Sequence, residues 1–198
     1  DQTVKLLERV MVTPEDMARL EQHFEDIDVS ETKAITVDDF FTSQHLTRTE
    51  VGRRVFQGLD RDGAIRFNEF IRVVLLLCPL SRRQILKLTF DMFDVGRRNL
   101  LDRHEFAQAM TVLCEGRPVF AQTLDQIFNE FDTDSDGFIR FSEWQLLSKR
   151  YALLFFPLSH MQQQLREATL GGDEWRRVIQ DTREAQQERL RARIKEGK

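Results

Sequence analysis

The chain has 198 residues, of which 41% are hydrophobic and 31% charged, enough to bury one good-sized core or two small ones. A formal net charge of −4 and a pI near 5.7 give no global basic excess, which argues against nucleic acid or an anionic membrane as a partner. No apolar run reaches the roughly 18–20 residues that span a bilayer; the longest, RVVLLLCPL (72–80) and YALLFFPL (151–158), read as core or interface.

Sixteen Phe against one Tyr, with four Pro and nine Gly, point to an all-α protein with a phenylalanine-filled core. Cys78 and Cys114 lie in apolar surroundings without metal-ligand spacing and are expected as reduced thiols, which suits a cytoplasmic protein. The first residue is Asp1, with no basic-then-apolar leader, and the chain is expected to be part of something longer.

Along the chain a twelve-residue pattern recurs. An oxygen-rich loop of this length can chelate a hard cation when positions 1, 3, 5 and 12 carry side-chain oxygens and position 7 offers a carbonyl. Position 6 turns sharply, and position 8 is apolar. The first copy, DVSETKAITVDD (28–39), offers Asp28, Ser30, Thr32 and Thr36, but it has Lys33 where a positive φ is wanted and Asp39 in place of the long terminal acid. Its reading is an empty loop, or one suited to the smaller Mg²⁺ sphere. The second, GLDRDGAIRFNE (58–69), keeps Asp60, Asp62, Gly63 and Glu69 but opens with Gly58, so Asp60, Asp62 and Glu69 are weaker metal candidates.

After Pro79, residues 81–94 (SRRQILKLTFDMFD) place Ile85, Leu86, Leu88, Phe90, Met92 and Phe93 on a helix with Ser81 as N-cap, and residues 79–82 mark a boundary between lobes. That helix enters the third copy, DVGRRNLLDRHE (94–105), where Gly96 stands at position 3 and Arg98 points an unligating guanidinium at the cation's place. A further helix, VFAQTLDQIFNEF (119–131), brings Leu124, Ile127, Phe128 and Phe131 into the fourth loop. This one, DTDSDGFIRFSE (132–143), is complete: Asp132, Asp134, Asp136, the Phe138 carbonyl and Glu143 as ligands, Gly137 at the turn and Ile139 at position 8. Arg140, at position 9, adds positive charge and moderates the expected affinity to roughly 10⁻⁶–10⁻⁵ M.

The four apolar anchors are Ile35, Ile65, Leu101 and Ile139, and each copy is followed by an aromatic residue: Phe40, Phe70, Phe106 and Trp144. On these residues, over about 16–150, the chain resembles the EF-hand superfamily, with a four-hand layout similar to calcineurin B-like and neuronal-calcium-sensor-like proteins. The resemblance implies two EF-hand pairs, four helix–loop–helix units with short loop–loop β contacts, plus a C-terminal helical extension. The expected divisions are 1–79, 80–156 and 157–198. It also implies Ca²⁺ at one site, which Mg²⁺ would also fit, and Phe-lined grooves for an amphipathic helix, with Met92 and Met110 as groove-floor or ordinary core residues.

Past the fourth hand, the exit helix is expected to run to about Phe156, where Pro157 breaks it, and a second helix to end at Gly171 and Gly172. Leu153, Leu154, Phe155, Phe156 and Leu158 are too apolar for water; they fold back into the second lobe's groove or dock on another chain. From Asp173 a third helix carries Trp175, Val178 and Ile179 on one stripe and fades into charge after Gln180. Leu153, Leu154, Phe155, Phe156 and Trp175 are the expected partner-binding residues. His23, His45, His104 and His160 are scattered, and no phosphate loop, nucleophile elbow or CxxC pair occurs, so an enzyme is not expected. The leading function is a calcium-sensing regulatory or adaptor protein; the alternatives are a calcium-insensitive structural subunit of a cytoskeletal or membrane-associated assembly and the regulatory domain of a longer enzyme.

Overall fold

The structure is a computed structural model that describes residues 7–57, 63–115 and 121–196. In chain order its elements are α1 (Pro14–Ile27), β1 (Ala34–Ile35), α2 (Val37–Ser43), α3 (Glu50–Gln57), β2 (Ile65–Arg66), α4 (Phe67–Leu77), α5 (Arg82–Asp91), β3 (Leu100–Leu101), α6 (Arg103–Leu113), α7 (Ala121–Phe131), β4 (Ile139–Arg140), α8 (Phe141–Arg150), a 3-10 turn (Ala152–Phe155), α9 (Phe156–Ala168) and α10 (Gly172–Glu196). The fold is all-α apart from these two-residue strands. Helix entry is encoded locally: Thr13, Thr36, Ser81 and Asp102 each accept from the backbone N–H at N3, while the N3 side chain returns to the cap.

The strands join the loops in pairs. β1 meets β2 antiparallel with Ile35 opposite Ile65, and β3 meets β4 with Leu101 opposite Ile139, so position 8 faces position 8 in both. Each ladder satisfies the edge that a lone loop would leave open. The aromatic residue after each loop, Phe40, Phe70, Phe106 or Trp144, is fully buried.

The described residues form two compact units. One gathers those up to Leu46, those from Phe56 to Pro79 and those from Gln162 onward; the other is Thr47–Val55 with Leu80–Met161. In the first, a phenylalanine cluster fills the space between the hands: Phe40–Phe56 and Phe41–Phe56 centroids are both 5.0 Å apart, and Phe24–Phe70 5.5 Å. Leu165, Leu170, Trp175 and Val178 from the C-terminal segment are buried in the same unit. Its polar side chains end other elements there. Gln162 Nε2 donates to the Leu77 carbonyl at 2.6 Å and Arg166 Nε to the Cys78 carbonyl at 2.7 Å, closing the C-terminus of α4. Arg19 Nη2 donates to the Leu170 carbonyl at 2.9 Å. Arg177 Nη2 grips both oxygens of Asp16, at 2.6 and 2.7 Å.

In the second unit Trp144 is the hub. Its ring lies edge-to-face against Phe90 (6.0 Å), Phe106 (6.4 Å) and Phe155 (5.3 Å). Met110 is buried with them.

The exit from the fourth hand differs from expectation. Helix α8 ends at Arg150, a 3-10 turn follows, and Pro157 lies in the first turn of α9 rather than breaking a helix. The physical reason is that a first-turn N–H has no intrahelical acceptor, so proline costs nothing there and its fixed φ favours helix initiation. Gly171, at φ +93°, makes the left-handed turn into α10.

Candidate metal centre

The fourth loop begins where α7 ends and closes as α8 begins. Ser135 (φ 55°) and Gly137 (φ 82°) hold the left-handed conformations that wrap the chain around a centre. Asp132 organises the turn: Oδ1 accepts from the Asp136 N–H at 3.1 Å and Oδ2 from the Gly137 N–H at 3.0 Å. Asp136 Oδ1 accepts from the Phe138 N–H at 3.0 Å. One carboxylate oxygen from each of Asp132, Asp134 and Asp136 lies within 4.8 Å of the others. This is an all-oxygen anionic donor set of the kind that suits Ca²⁺ or Mg²⁺ and not a soft metal.

Glu143 is buried at the far end of the loop, 4% exposed. Its Oε2 accepts from the Arg140 N–H at 2.8 Å, and its Oε1 from the Thr133 N–H and hydroxyl, both at 2.8 Å. The terminal acid thus straps position 2 to position 12, and Glu143 Oε1 would have to give up the Thr133 donors in order to hold a cation. Arg140 closes the open side: Nη1 meets Asp134 Oδ2 at 2.7 Å, and Nη2 pairs with Asp136 Oδ2. Asp136 and Asp134 hold the Arg140 guanidinium above its ordinary pKa. Spacing identified the acids and the charge of Arg140; it did not reveal the Thr133 bridge, for which a hydroxyl at position 2 is the only signal.

The first and third loops keep the left-handed turns at positions 4 and 6, and the described side chains of the other loops are spent internally. In the first, Glu31 and Lys33 hold φ of 53° and 59° at positions 4 and 6. Asp28 accepts from the Thr32 and Lys33 N–H groups, and Thr32 Oγ1 donates to the Ala34 carbonyl at 2.8 Å, the carbonyl that would ligate an ion. Asp39 accepts from the Thr36 hydroxyl at 2.7 Å and from its N–H at 3.0 Å, and these bonds hold its carboxyl below the usual range. In the second, Asp60 and Asp62 lie outside the described residues; Glu69 Oε2 accepts from the Arg66 N–H at 3.1 Å, and Gly63 holds φ 82°.

In the third, Asp94 accepts from the Arg98 and Asn99 N–H groups at 2.9 and 2.7 Å. Arg98 Nη2 then reaches Glu105 Oε2 at 2.7 Å and Asp102 Oδ2 at 3.1 Å. A Cβ added to Gly96 would lie 2.9 Å from Arg98 Nε. The glycine at position 3 makes room for the arginine at position 5 to lie across the loop.

The expected partner-binding residues separate. Leu153 is 85% exposed and Phe156 55%, and Leu154 is half-buried. Phe155 is buried against Trp144. Trp175 is fully buried, its Nε1 donating to Thr169 Oγ1 at 3.0 Å. Among the described residues, no helix is long and apolar enough to cross a membrane.

Residues 82–145 match the EF-hand domain pair family. The chain is 30% identical to lysophosphatidylcholine acyltransferase 2 of Danio rerio over 146 residues, 71% of this chain and 26% of that protein. It is 23% identical to calcineurin B of Schizosaccharomyces pombe over 66% of this chain and 79% of that protein. It is 27% identical to calcium-dependent protein kinase 21 of Arabidopsis thaliana over 67% of this chain and 26% of that protein. The chain therefore spans about a quarter of the acyltransferase and of the kinase. With the matched residues 82–145 and the paired position-8 strands, the chain carries an EF-hand domain pair and is similar to these proteins.

Proposed function

We propose that the chain is a cytoplasmic calcium-responsive regulatory module whose ion binds in the fourth loop, at Asp132, Asp134, Asp136, the Phe138 carbonyl and Glu143. The convergence of the three aspartates carries the reading. Calcium would supply the charge that gathers these carboxylates; the chain's own residues place Glu143 and Trp144 consecutively, so movement of the acid is passed to a fully buried indole and to Phe155 beyond it. A protein partner, an amphipathic helix or the face of a larger assembly, engages the exposed Leu153 and Phe156. The second and first loops act as structural partners within their own unit. The protein is a regulator, not a catalyst, and the enzymes among its relatives suggest the same role for a module within a longer chain.

The test is calorimetric titration with Ca²⁺ at constant Mg²⁺, alongside Glu143→Gln. Micromolar binding with one equivalent, lost in the variant, supports the reading. Absence of binding above a millimolar background rejects it in favour of a calcium-insensitive structural role.

A further inference from the structure

The two loops of the 82–145 pair each carry an arginine where positive charge belongs, but the arginines are held differently. Arg98 meets Glu105, whose side chain is 9% exposed, lies across Gly96, and stands 5.9 Å from the Phe138 ring centroid. One of its two carboxylate partners is inside the unit, the other, Asp102, is 40% exposed, and its path is cleared by a missing side chain. Arg140 meets Asp134 and Asp136, whose side chains are 55% and 29% exposed. Water competes for those pairs, and exposed ion pairs are individually weak. Both of its partners are acids of the converging cluster.

We infer that Arg140 is an intramolecular counter-cation of the fourth loop, and that ion binding there is an exchange in which the guanidinium leaves Asp134 and Asp136 as the divalent cation arrives. The inference rests on the proposed calcium site and adds to it the residue that sets its threshold. Without an ion, Arg140 offsets the mutual repulsion of the aspartates and keeps the loop closed. With one, the same charge repels the cation and must turn outward. Arg98 is the fixed counterpart, so the third loop stays assembled through the whole calcium range while the fourth responds. Geometry favours exchange over shared occupancy, because the guanidinium engages two of the three converging carboxylates and would stand beside the cation with like charge.

Arg140→Gln removes two exposed pairs and one repulsive charge, and the expected result is an affinity for Ca²⁺ about 2- to 30-fold tighter than wild type, read by calorimetry on the whole chain. Arg140→Lys, which keeps the charge but cannot fork across two carboxylates, falls between them. In wild type, the Arg140 Nε–H resonance shifts on calcium addition while that of Arg98 stays in place. If wild type binds calcium and Arg140→Gln binds no tighter, or if the Arg140 resonance is unmoved at saturation, the exchange is refuted while the site stands. If neither protein binds calcium, the site itself is refuted and the exchange with it. Binding by Arg140→Gln alone supports the exchange in its strongest form.

Discussion

The Asp16–Arg177 pair ties helix α10 to the start of α1, and its strength can be worked from the geometry. Asp16 is the N3 member of a capping box with Thr13, and its side chain is only 4% exposed, whereas that of Arg177 is 40% exposed. The pair lies between the exposed limit of about 0.2–1 kcal/mol and the fully buried limit of about 3–5 kcal/mol. A coupling of about 1–2 kcal/mol is expected from the cycle Asp16→Asn, Arg177→Gln and the double variant, measured by urea denaturation at neutral pH. Asparagine keeps an oxygen for the Thr13 N–H, so the cycle isolates charge. Burial alone would raise the Asp16 pKa, but the Arg177 and Thr13 hydrogen bonds outweigh it and hold the carboxyl below 3.8. A depressed carboxylate contributes stability that is complete above its unfolded value and lost as pH falls through the folded one. Wild type should therefore lose this increment as the pH drops below about 4, and Asp16→Asn should not. A coupling under about 0.3 kcal/mol, or an identical acid profile in the variant, would refute the assignment.

Four further outcomes follow from local geometry. Lys33 holds φ 59° with its N–H on Asp28 Oδ2 at 2.6 Å, so Lys33→Gly should relieve strain that exceeds glycine's entropic cost and raise stability by about 0.5–1 kcal/mol; Gly137→Ala, at φ 82°, should lower it by about 1 kcal/mol or more, both read as shifts in denaturation midpoint. Phe155→Ala should cost about 3–5 kcal/mol by opening a cavity beside Trp144, whereas Leu153→Ser, at an 85% exposed position, should leave stability within about 0.5 kcal/mol while weakening capture of a hydrophobic partner.

Much of this fold is readable from residue spacing, because the loop rules constrain several positions at once. Ile35, Ile65, Leu101 and Ile139 are legible as strand residues through the oxygens around them, and the structure pairs them as that spacing requires. The backbone is less legible where chemistry departs from the pattern. Lys33 and Asn99 hold the left-handed position that glycine holds at 63 and 137, because tertiary closure of the loop overrides the local preference of the residue. The complementarity of Gly96 and Arg98 is visible only once the side chain's path is known. Pro157 reads in the sequence as the end of a helix, and it begins one; a proline marks a boundary without saying on which side the helix lies. The surroundings of residues 162–196 were not legible at all. An apolar stripe such as Trp175, Val178 and Ile179 declares that a helix face is covered, and says nothing about what covers it.

The unit built from the first two hands is discontinuous in the chain: Leu77 and Cys78 find their carbonyl donors at Gln162 and Arg166, and Asp16 its counterion at Arg177. During synthesis, the segment Leu80–Met161 therefore leaves the ribosome with all its own partners available, apart from Thr47–Val55 already made, while the earlier hands wait for α10. The order of emergence and the order of completion are reversed: the hands made first are finished last. Over that interval the Leu77 and Cys78 carbonyls and the Asp16 carboxylate lack partners not yet translated, and a ribosome stalled before Arg177 would hold the second unit folded and the first one incomplete.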